Sequence, residues 1–503
     1  MARPIILIWY RNDIRVHDHE PLYRATVENA SLVPFYCFDD RSFGTTSFGF
    51  PKTGAFRARF LRQSLADLRD SLCRLGSNLV IRRGKPEKVI PELIDRYGIS
   101  KIYYYREVTS EELAVERALK KSLSALDVKI EIFDGTTLLH PEDLPFEASG
   151  VPELFTEFRK RVERDWQVRS PYPVPKSLPP IPDGIEIGEI PDLQESGLEE
   201  PIKDGRSLFT FNGGESAGKE RVNYYIWKSD RLKIYKETRN GMLNPDDSSK
   251  FSAWLSLGCL SPRYIYEEVQ KYERERIKND STYWLIFELL WRDFFRFICA
   301  KHGNKIFYPS GLRGIDIPWL EDTPRFELWR EGKTGYPLVD AGMKELAATG
   351  FLSNRGRQNV ASFLTKNLGI DWRIGAEWFE SVLIDHDVCS NWGNWNYTAG
   401  VGNDARGFRY FNIAKQSRDY DPKGDYLRHW LPELAAIPGD KIHEPHKLSI
   451  EEQKRYGVII GVDYPRPVVD FFSSIKRNEK IYNGSGDTAT RGKSLEHSRR
   501  PRR

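Results

Sequence analysis

Several stretches of the chain combine residue types that can do chemistry. Asp247-Ser248-Ser249-Lys250-Phe251-Ser252 precedes a helix-like run that ends near Gly258. Hydroxyls and free backbone N–H groups at a helix start suit an anion, and a diphosphate fits such a loop. Ordinary serine N-capping would place the same residues there. Phe287-Glu288-Leu289-Leu290-Trp291-Arg292-Asp293-Phe294-Phe295 reads as helix, with Glu288, Trp291, Arg292 and Phe295 on one face. A carboxylate and a guanidinium among aromatics need partners, because unpaired buried charge is costly. An internal Glu288–Arg292 pair is the simplest arrangement. Ser353-Asn354-Arg355-Gly356-Arg357-Gln358-Asn359, Asp385-His386-Asp387 and Asn391-Trp392-Gly393-Asn394-Trp395-Asn396-Tyr397 interleave amides, charges and indoles. Such groups suit a flat polar heteroaromatic ligand, stacked on its faces and hydrogen-bonded at its edges. A carbohydrate site or plain packing remains open at this level.

The elements that must position these residues fall into two kinds. Over the first 135 residues, apolar runs at Ile5–Tyr10, Leu32–Phe38, Asn78–Arg82, Lys101–Tyr105 and Lys129–Phe133 alternate with helix-like segments. That alternation predicts right-handed crossovers and a doubly wound parallel sheet. Its glycines nowhere form G-x-G-x-x-G, so the sheet lacks the dinucleotide fingerprint. Eight prolines between 171 and 201 predict an extended connector. From Ser216 to about Pro432 helical periodicities take over. The fold class is therefore α/β plus all-α, with residues 1–140 as the α/β domain, 141–215 as connector and 216–475 as a helical domain. Residues 476–503 end in six basic side chains after position 490 and predict a disordered basic tail.

Composition narrows the function. Of 503 residues, 76 are Lys or Arg and 72 Asp or Glu, a net charge of +4, so nucleic-acid binding would need a local basic patch. Aromatics are the outlier, with 13 Trp, 24 Tyr and 27 Phe; thirteen tryptophans exceed what a core of this size needs, unless the core is simply Trp-rich. Five scattered cysteines without C-x-x-C argue for reduced thiols and against a zinc site. No signal peptide, transit peptide or membrane-spanning run is evident, so the expected setting is intracellular and the expected state monomeric.

Trp9-Tyr10-Arg11-Asn12-Asp13-Ile14-Arg15, Phe251 to Arg263, the Glu288–Phe295 helix, Thr334 to Ala341 and Asn354-Arg355-Gly356-Arg357 resemble motifs of the photolyase/cryptochrome family. Tyr283 to Asp293, Gly356 to Ser362 and Gly402-Asn403-Asp404-Ala405-Arg406 are similar to its cryptochrome DASH branch. The resemblance implies a helical FAD-binding domain holding FAD in a U shape. It implies that Tyr235, Ser248, Ser249, Lys250, Phe251 and Ser252 hold ribose and diphosphate, and that Asn354, Arg357, Asp385, Asp387 and Asn391 contact the rest of the cofactor, with Arg357 paired to Asp385. It implies an electron-transfer chain of Trp395, Trp372 and Trp319, running from flavin to surface. A flipped pyrimidine dimer would meet Glu288, Trp291 and Tyr397. Tyr397 and Gln358 stand where cyclobutane photolyases usually carry tryptophan and methionine, which fits repair restricted to single-stranded DNA. Arg263, Arg406 and Arg409 would contact phosphates, with Gln358 also on the DNA side. A folate antenna, 5,10-methenyltetrahydrofolate, would lie near Glu107 and Glu111. Three roles follow: light-driven dimer repair, a light-responsive transcriptional or signalling regulator without meaningful repair, or a constitutive nucleic-acid binder with a passive flavin, against which Glu288, Trp291 and the three indoles argue. The downstream partner is unknown at this level.

Overall fold

The computed structural model describes residues 3–404 and 406–498, with side chains described as far as residue 486. Five strands, β1 (Ile5–Tyr10), β2 (Ser31–Phe38), β3 (Val80–Arg83), β4 (Ile99–Tyr105) and β5 (Lys129–Phe133), form one parallel sheet in the order β3-β2-β1-β4-β5. Helices α1 (Glu20–Val27), α2 (Ala55–Arg74), α3 (Pro86–Tyr97) and α4 (Ser110–Leu123) make the crossovers. The sheet is buried on both faces, as parallel sheets are. Ile6, Ile8 and Tyr10 point into the core shared with the helical half, while Leu7 and Trp9 pack on the opposite face with Ile90, Leu93 and Leu119. This two-residue alternation assigns each face of β1 its own layer.

The connector carries α5 (Phe155–Val162) and then, from 171 to 201, only a 3-10 turn at Gln194–Ser196. The helical half follows: α6 (Glu215–Val222), α7 (Tyr235–Thr238), α8 (Ser252–Ser256), α9 (Pro262–Glu275), α10 (Asp280–His302), α11 (Thr323–Arg330), α12 (Pro337–Thr349), α13 (Asn354–Ser362), α14 (Trp372–Val382), α15 (Val388–Ala399), α16 (Ile413–Tyr420), α17 (Asp425–Trp430), α18 (Ile450–Tyr456) and α19 (Phe471–Ser498). Local signals set several ends. Asn279 and Thr282 form a capping box at the start of α10, Ser353 caps α13, Asp371 caps α14, and Asp387 caps α15, which stops at Gly400 in the left-handed region.

Helix α19 corrects the expectation of a disordered tail. It runs from within the predicted helical domain to Ser498, and Ile475, Asn478 and Tyr482 are buried on the helical half. Asn478 Nδ2 donates to the carbonyls of Lys366 and Asn367 at 2.9 and 3.0 Å. A sequence reading weighted by terminal charge misses the apolar spacing of Ile475 and Tyr482 that docks its first turns. Residues 499–503 of the predicted tail lie outside the described residues.

A buried polar seam joins the two halves. Ile14 N–H donates to the Leu257 carbonyl at 3.1 Å, and Arg15 donates to the Gly258 carbonyl at 2.9 Å. Gly258 has φ 65°, and a Cβ there would stand 2.1 Å from the Asn12 carbonyl oxygen. Asp293, fully buried on α10, accepts from the Leu138 and Leu139 N–H groups at 3.0 and 2.8 Å. Burial pushes its carboxyl up to about 6 against the pull of those donors. Replacing Gly258 by Ala should destabilise the protein by roughly 2–5 kcal/mol, from left-handed backbone strain and overpacking together. Denaturant unfolding measures this, and a loss within experimental error would show that the seam can open around a methyl group.

Candidate functional site

The helical half holds a cavity of about 450 Å³. Its walls come from α7, the 248–256 loop and helix, α10, α13, the Leu383–Asp387 turn and α15. Of the residues expected to hold a cofactor, Tyr235, Ser248, Ser249, Lys250, Ser252, Asn354, Arg357, Asp385, Asp387 and Asn391 all line it. Phe251 does not: it is buried in the core, edge-on to Tyr225 at 5.9 Å, and closes the loop from behind.

The serine loop is not a capping device. The N-cap of α8 is Phe251, which makes no side-chain cap bond, and α8 has only five residues. The loop instead presents its hydroxyls and one unusual lysine. Lys250 sits in the left-handed region at φ 58°, with its amine 4.8 Å from the Phe351 ring. Burial pulls that amine down to about 8. A buried cation with aromatic neighbours is complementary to an anionic ligand.

Arg357 and Asp385 form the charged floor. Arg357 Nη2 donates to both Asp385 oxygens at 2.8 Å, and its Nε donates to the Leu352 carbonyl at 2.7 Å. Asp385 has only 2% side-chain exposure, so the pair holds a guanidinium inside an apolar lobe. Beside it, His386 lines the cavity with both ring nitrogens buried and without a hydrogen-bond partner. Burial drives its imidazole well below the usual histidine range. Its position between two aspartates in the sequence is the one signal that could have singled it out. Asn391 Nδ2 donates to the Ala376 carbonyl at 2.9 Å, tying α15 to α14.

At the mouth, Glu288 pairs with Arg239 at 2.7 Å, so the internal Glu288–Arg292 pair does not form. Arg292 instead donates to the Thr136 carbonyl at 2.6 Å, across the halves. Arg239, a wall residue that sequence reasoning missed, sits on the Trp284 ring at 5.2 Å. The two partners are 49 positions apart, beyond the reach of any local pattern. Burial raises the Glu288 carboxyl above the usual carboxylate range and Arg239 opposes it. Trp291 and Tyr397 meet at 86° with ring centres 6.0 Å apart, forming an open corner. The other face of Trp291 is taken by Phe155, stacked at 3.7 Å and 11°, so only one indole face remains for a ligand.

Gln358 and Arg409 line the cavity, and Arg406 lies outside it, donating to the Tyr397 hydroxyl at 2.6 Å and pairing with Asp404 at 2.9 Å. Arg263 is not on the rim at all. It is 2% exposed and grips Asp18 through Nε and Nη2 at 2.9 and 2.7 Å. A phosphate cannot reach it; Asp18 lies 245 residues away, which hid the pairing from the sequence.

Of the three expected indoles, one stands at the cavity and the other two meet at one acceptor. Trp395 lines the cavity and abuts α14 where Gly375 leaves room: a Cβ there would stand 2.3 Å from its ring. Trp372, fully buried at the start of α14, and Trp319, half-buried, both donate their indole N–H to the Pro309 carbonyl at 3.1 Å. One shared acceptor holds the two outer rings side by side.

Fold and cavity define a two-lobed protein with a Rossmann-like sheet domain and a helical cofactor-binding domain. Residues 6–179 match the DNA photolyase family model, and residues 284–484 match the FAD binding domain of DNA photolyase. The chain is 64% identical to cryptochrome DASH of Gloeobacter violaceus over 485 residues, covering 96% of this chain and 97% of that protein. It is 49% identical to cryptochrome DASH of Xenopus laevis, covering 98% and 95%. The crystal structure of the Synechocystis sp. PCC6803 cryptochrome superposes with a TM-score of 0.93 at 58% identity, covering 96% of this chain and 99% of that one. A bacterial class III photolyase from Agrobacterium tumefaciens superposes at 0.84 with 30% identity, covering 97% and 98%. The chain belongs to the photolyase/cryptochrome family, in its cryptochrome DASH branch.

Two outcomes test the site. Arg263→Leu should cost about 3–5 kcal/mol of stability, as breaking a buried ion pair does, read by denaturant unfolding. An unaltered stability would show that the Arg263–Asp18 pair does not hold the seam. Arg239→Gln removes the charge that opposes burial, so the Glu288 carboxyl should hold its proton to higher pH. The infrared carboxyl band, assigned with Glu288→Gln, reports its midpoint; a midpoint that stays put or falls refutes the electrostatic role.

Proposed function

We propose that this protein is a blue-light flavoprotein that binds FAD in the helical cavity and reverses cyclobutane pyrimidine dimers in single-stranded DNA. The observation that carries this reading is the meeting, in one cavity, of the Arg357–Asp385 pair, the Ser248–Ser252 loop and the inner indole Trp395. These groups fit FAD: a buried amine and hydroxyls for the diphosphate, and a fixed cation with the Asn354 and Asn391 amides for the ring and ribitol. FAD when bound absorbs blue light and exchanges single electrons. The chain's part is to hold it, exclude water and supply electrons along Trp395, Trp372 and Trp319.

The lesion site uses the outer corner. Glu288, held between burial and Arg239, is placed to hydrogen-bond a pyrimidine carbonyl. The free face of Trp291 supports one ring, and Tyr397, pinned by Arg406, closes the corner. With Gln358 and a tyrosine in place of larger apolar groups, the corner offers less stacking energy. Extraction from a duplex costs a few kcal/mol of unpairing and unstacking that a single strand largely avoids. Arg409 at the mouth and Arg406 outside it are the proposed phosphate contacts. A folate antenna is proposed in the crevice at the C-terminal ends of β1 and β4, the switch point of the sheet. Glu107 is buried there against Asn12 and Arg296, whereas Glu111 is exposed and paired with Lys52.

A receptor role is the second reading, favoured by one observation: Trp319 shares a small cavity with Asn478, Ile481 and Tyr482 of α19, so charge arriving there is next to the C-terminal helix. The repair assay decides between them. Under blue light the purified yellow protein should restore thymine dimers in a single-stranded oligonucleotide, much less in a duplex, and Glu288→Ala should lose the activity. Turnover on neither substrate, with light-dependent hydrogen exchange in α19, would favour the receptor.

A further inference from the structure

Trp392 is a further indole, beside the series Trp395, Trp372 and Trp319. It stands on α15 one turn before Trp395 and is 6% exposed, whereas Trp372 is completely buried. Its ring meets Trp372 edge to face, with centres 5.5 Å apart at 80°, and Phe307 braces it at 4.8 Å and 77°. The ring contacts of Trp395 are with Phe379 at 5.1 Å and Trp329 at 6.4 Å. The middle indole therefore has two indole neighbours toward the outside: Trp319, through the shared Pro309 carbonyl, and Trp392, by direct ring contact.

We propose that Trp392 is a second electron donor to Trp372, so that the chain forks at its middle member. The inference rests on the electron-transfer role proposed above for Trp372. When Trp372 has been oxidised, one electron passes from Trp392 to Trp372 with no bond made or broken. Trp372 returns to its neutral form, and Trp392 becomes the oxidised indole and releases its ring N–H proton toward solvent. An external thiol supplies the one electron and the proton that restore it. Ring contact without intervening atoms favours this step, and the exposed edge of Trp392 lets solvent stabilise the charge better than the dry surroundings of Trp372 do. Trp329 offers no such branch: it is fully buried, with its N–H held by the Val360 carbonyl at 2.9 Å.

The test uses purified FAD-loaded protein under blue light with a thiol reductant, following bleaching of the oxidised flavin band and the transient indole radical. Trp392→Phe keeps an aromatic ring in the packing, and flavin content with thermal stability verifies the fold. Trp319→Phe alone should retain part of the photoreduction and a transient indole radical. Trp319→Phe/Trp392→Phe should lose that remainder, down to the level of Trp372→Phe, while Trp319→Phe/Trp329→Phe should behave as Trp319→Phe. A double variant lacking Trp392 that matches Trp319→Phe would overturn the fork alone. A wild-type protein with bound FAD that shows no photoreduction would overturn both the fork and the electron-transfer role beneath it.

Discussion

Helix α15 is wedged between two neighbours that touch it only because glycine lets them. Gly393 faces Phe295 of α10, where a Cβ would come within 2.2 Å, and Gly375 of α14 faces Trp395. The two contacts fix the rotation of α15 about its axis. That rotation turns Asn391, Asn394 and Tyr397 toward the cavity and puts Trp392 against Trp372. Cavity wall and indole path are thus two faces of one close-packed helix. Interiors this dense transmit a misplaced methyl group to everything behind it.

The charges in the cavity follow from the same packing. An apolar lobe raises the cost of every buried ion, so each must be paired or held near neutrality. Arg357 with Asp385, one guanidinium nitrogen shared between both carboxylate oxygens at 2.8 Å, and Arg239 with Glu288 at 2.7 Å take the first course. Lys250 and His386 take the second, each shifted toward its neutral form by burial. A cavity lined this way is poised for a charged, flat ligand, because binding relieves groups that folding left short of partners.

Much of the design is legible along the chain. Strand–helix alternation in the first 135 residues marked the parallel sheet, since buried strands and crossover helices have different periods. The ordered motifs marked the cavity-lining residues, because the aspartate, asparagine and indole pattern of α15 is local to one helix. The charged pairs were legible only where both partners belonged to familiar motifs, as with Arg357 and Asp385. Arg239 with Glu288 and Arg263 with Asp18 escaped, since a carboxylate in the sequence carries no sign of which distant guanidinium will meet it. The end of the chain escaped for a related reason: its run of basic side chains lies beyond position 490, whereas Ile475, Asn478 and Tyr482, which dock α19, come before it.

By itself the sequence determined the kinds of elements, the two-part organisation and which side chains could do chemistry. Those properties are set by backbone propensity and by the spacing of apolar residues within a few turns. Tertiary structure alone decided that Arg263 seals a seam, that Phe155 covers one face of Trp291, and that Trp319 and Trp372 share one carbonyl. Each of these joins residues tens to hundreds of positions apart. Their meeting depends on how whole layers pack, and the packing that excludes water also selects which polar groups must find each other.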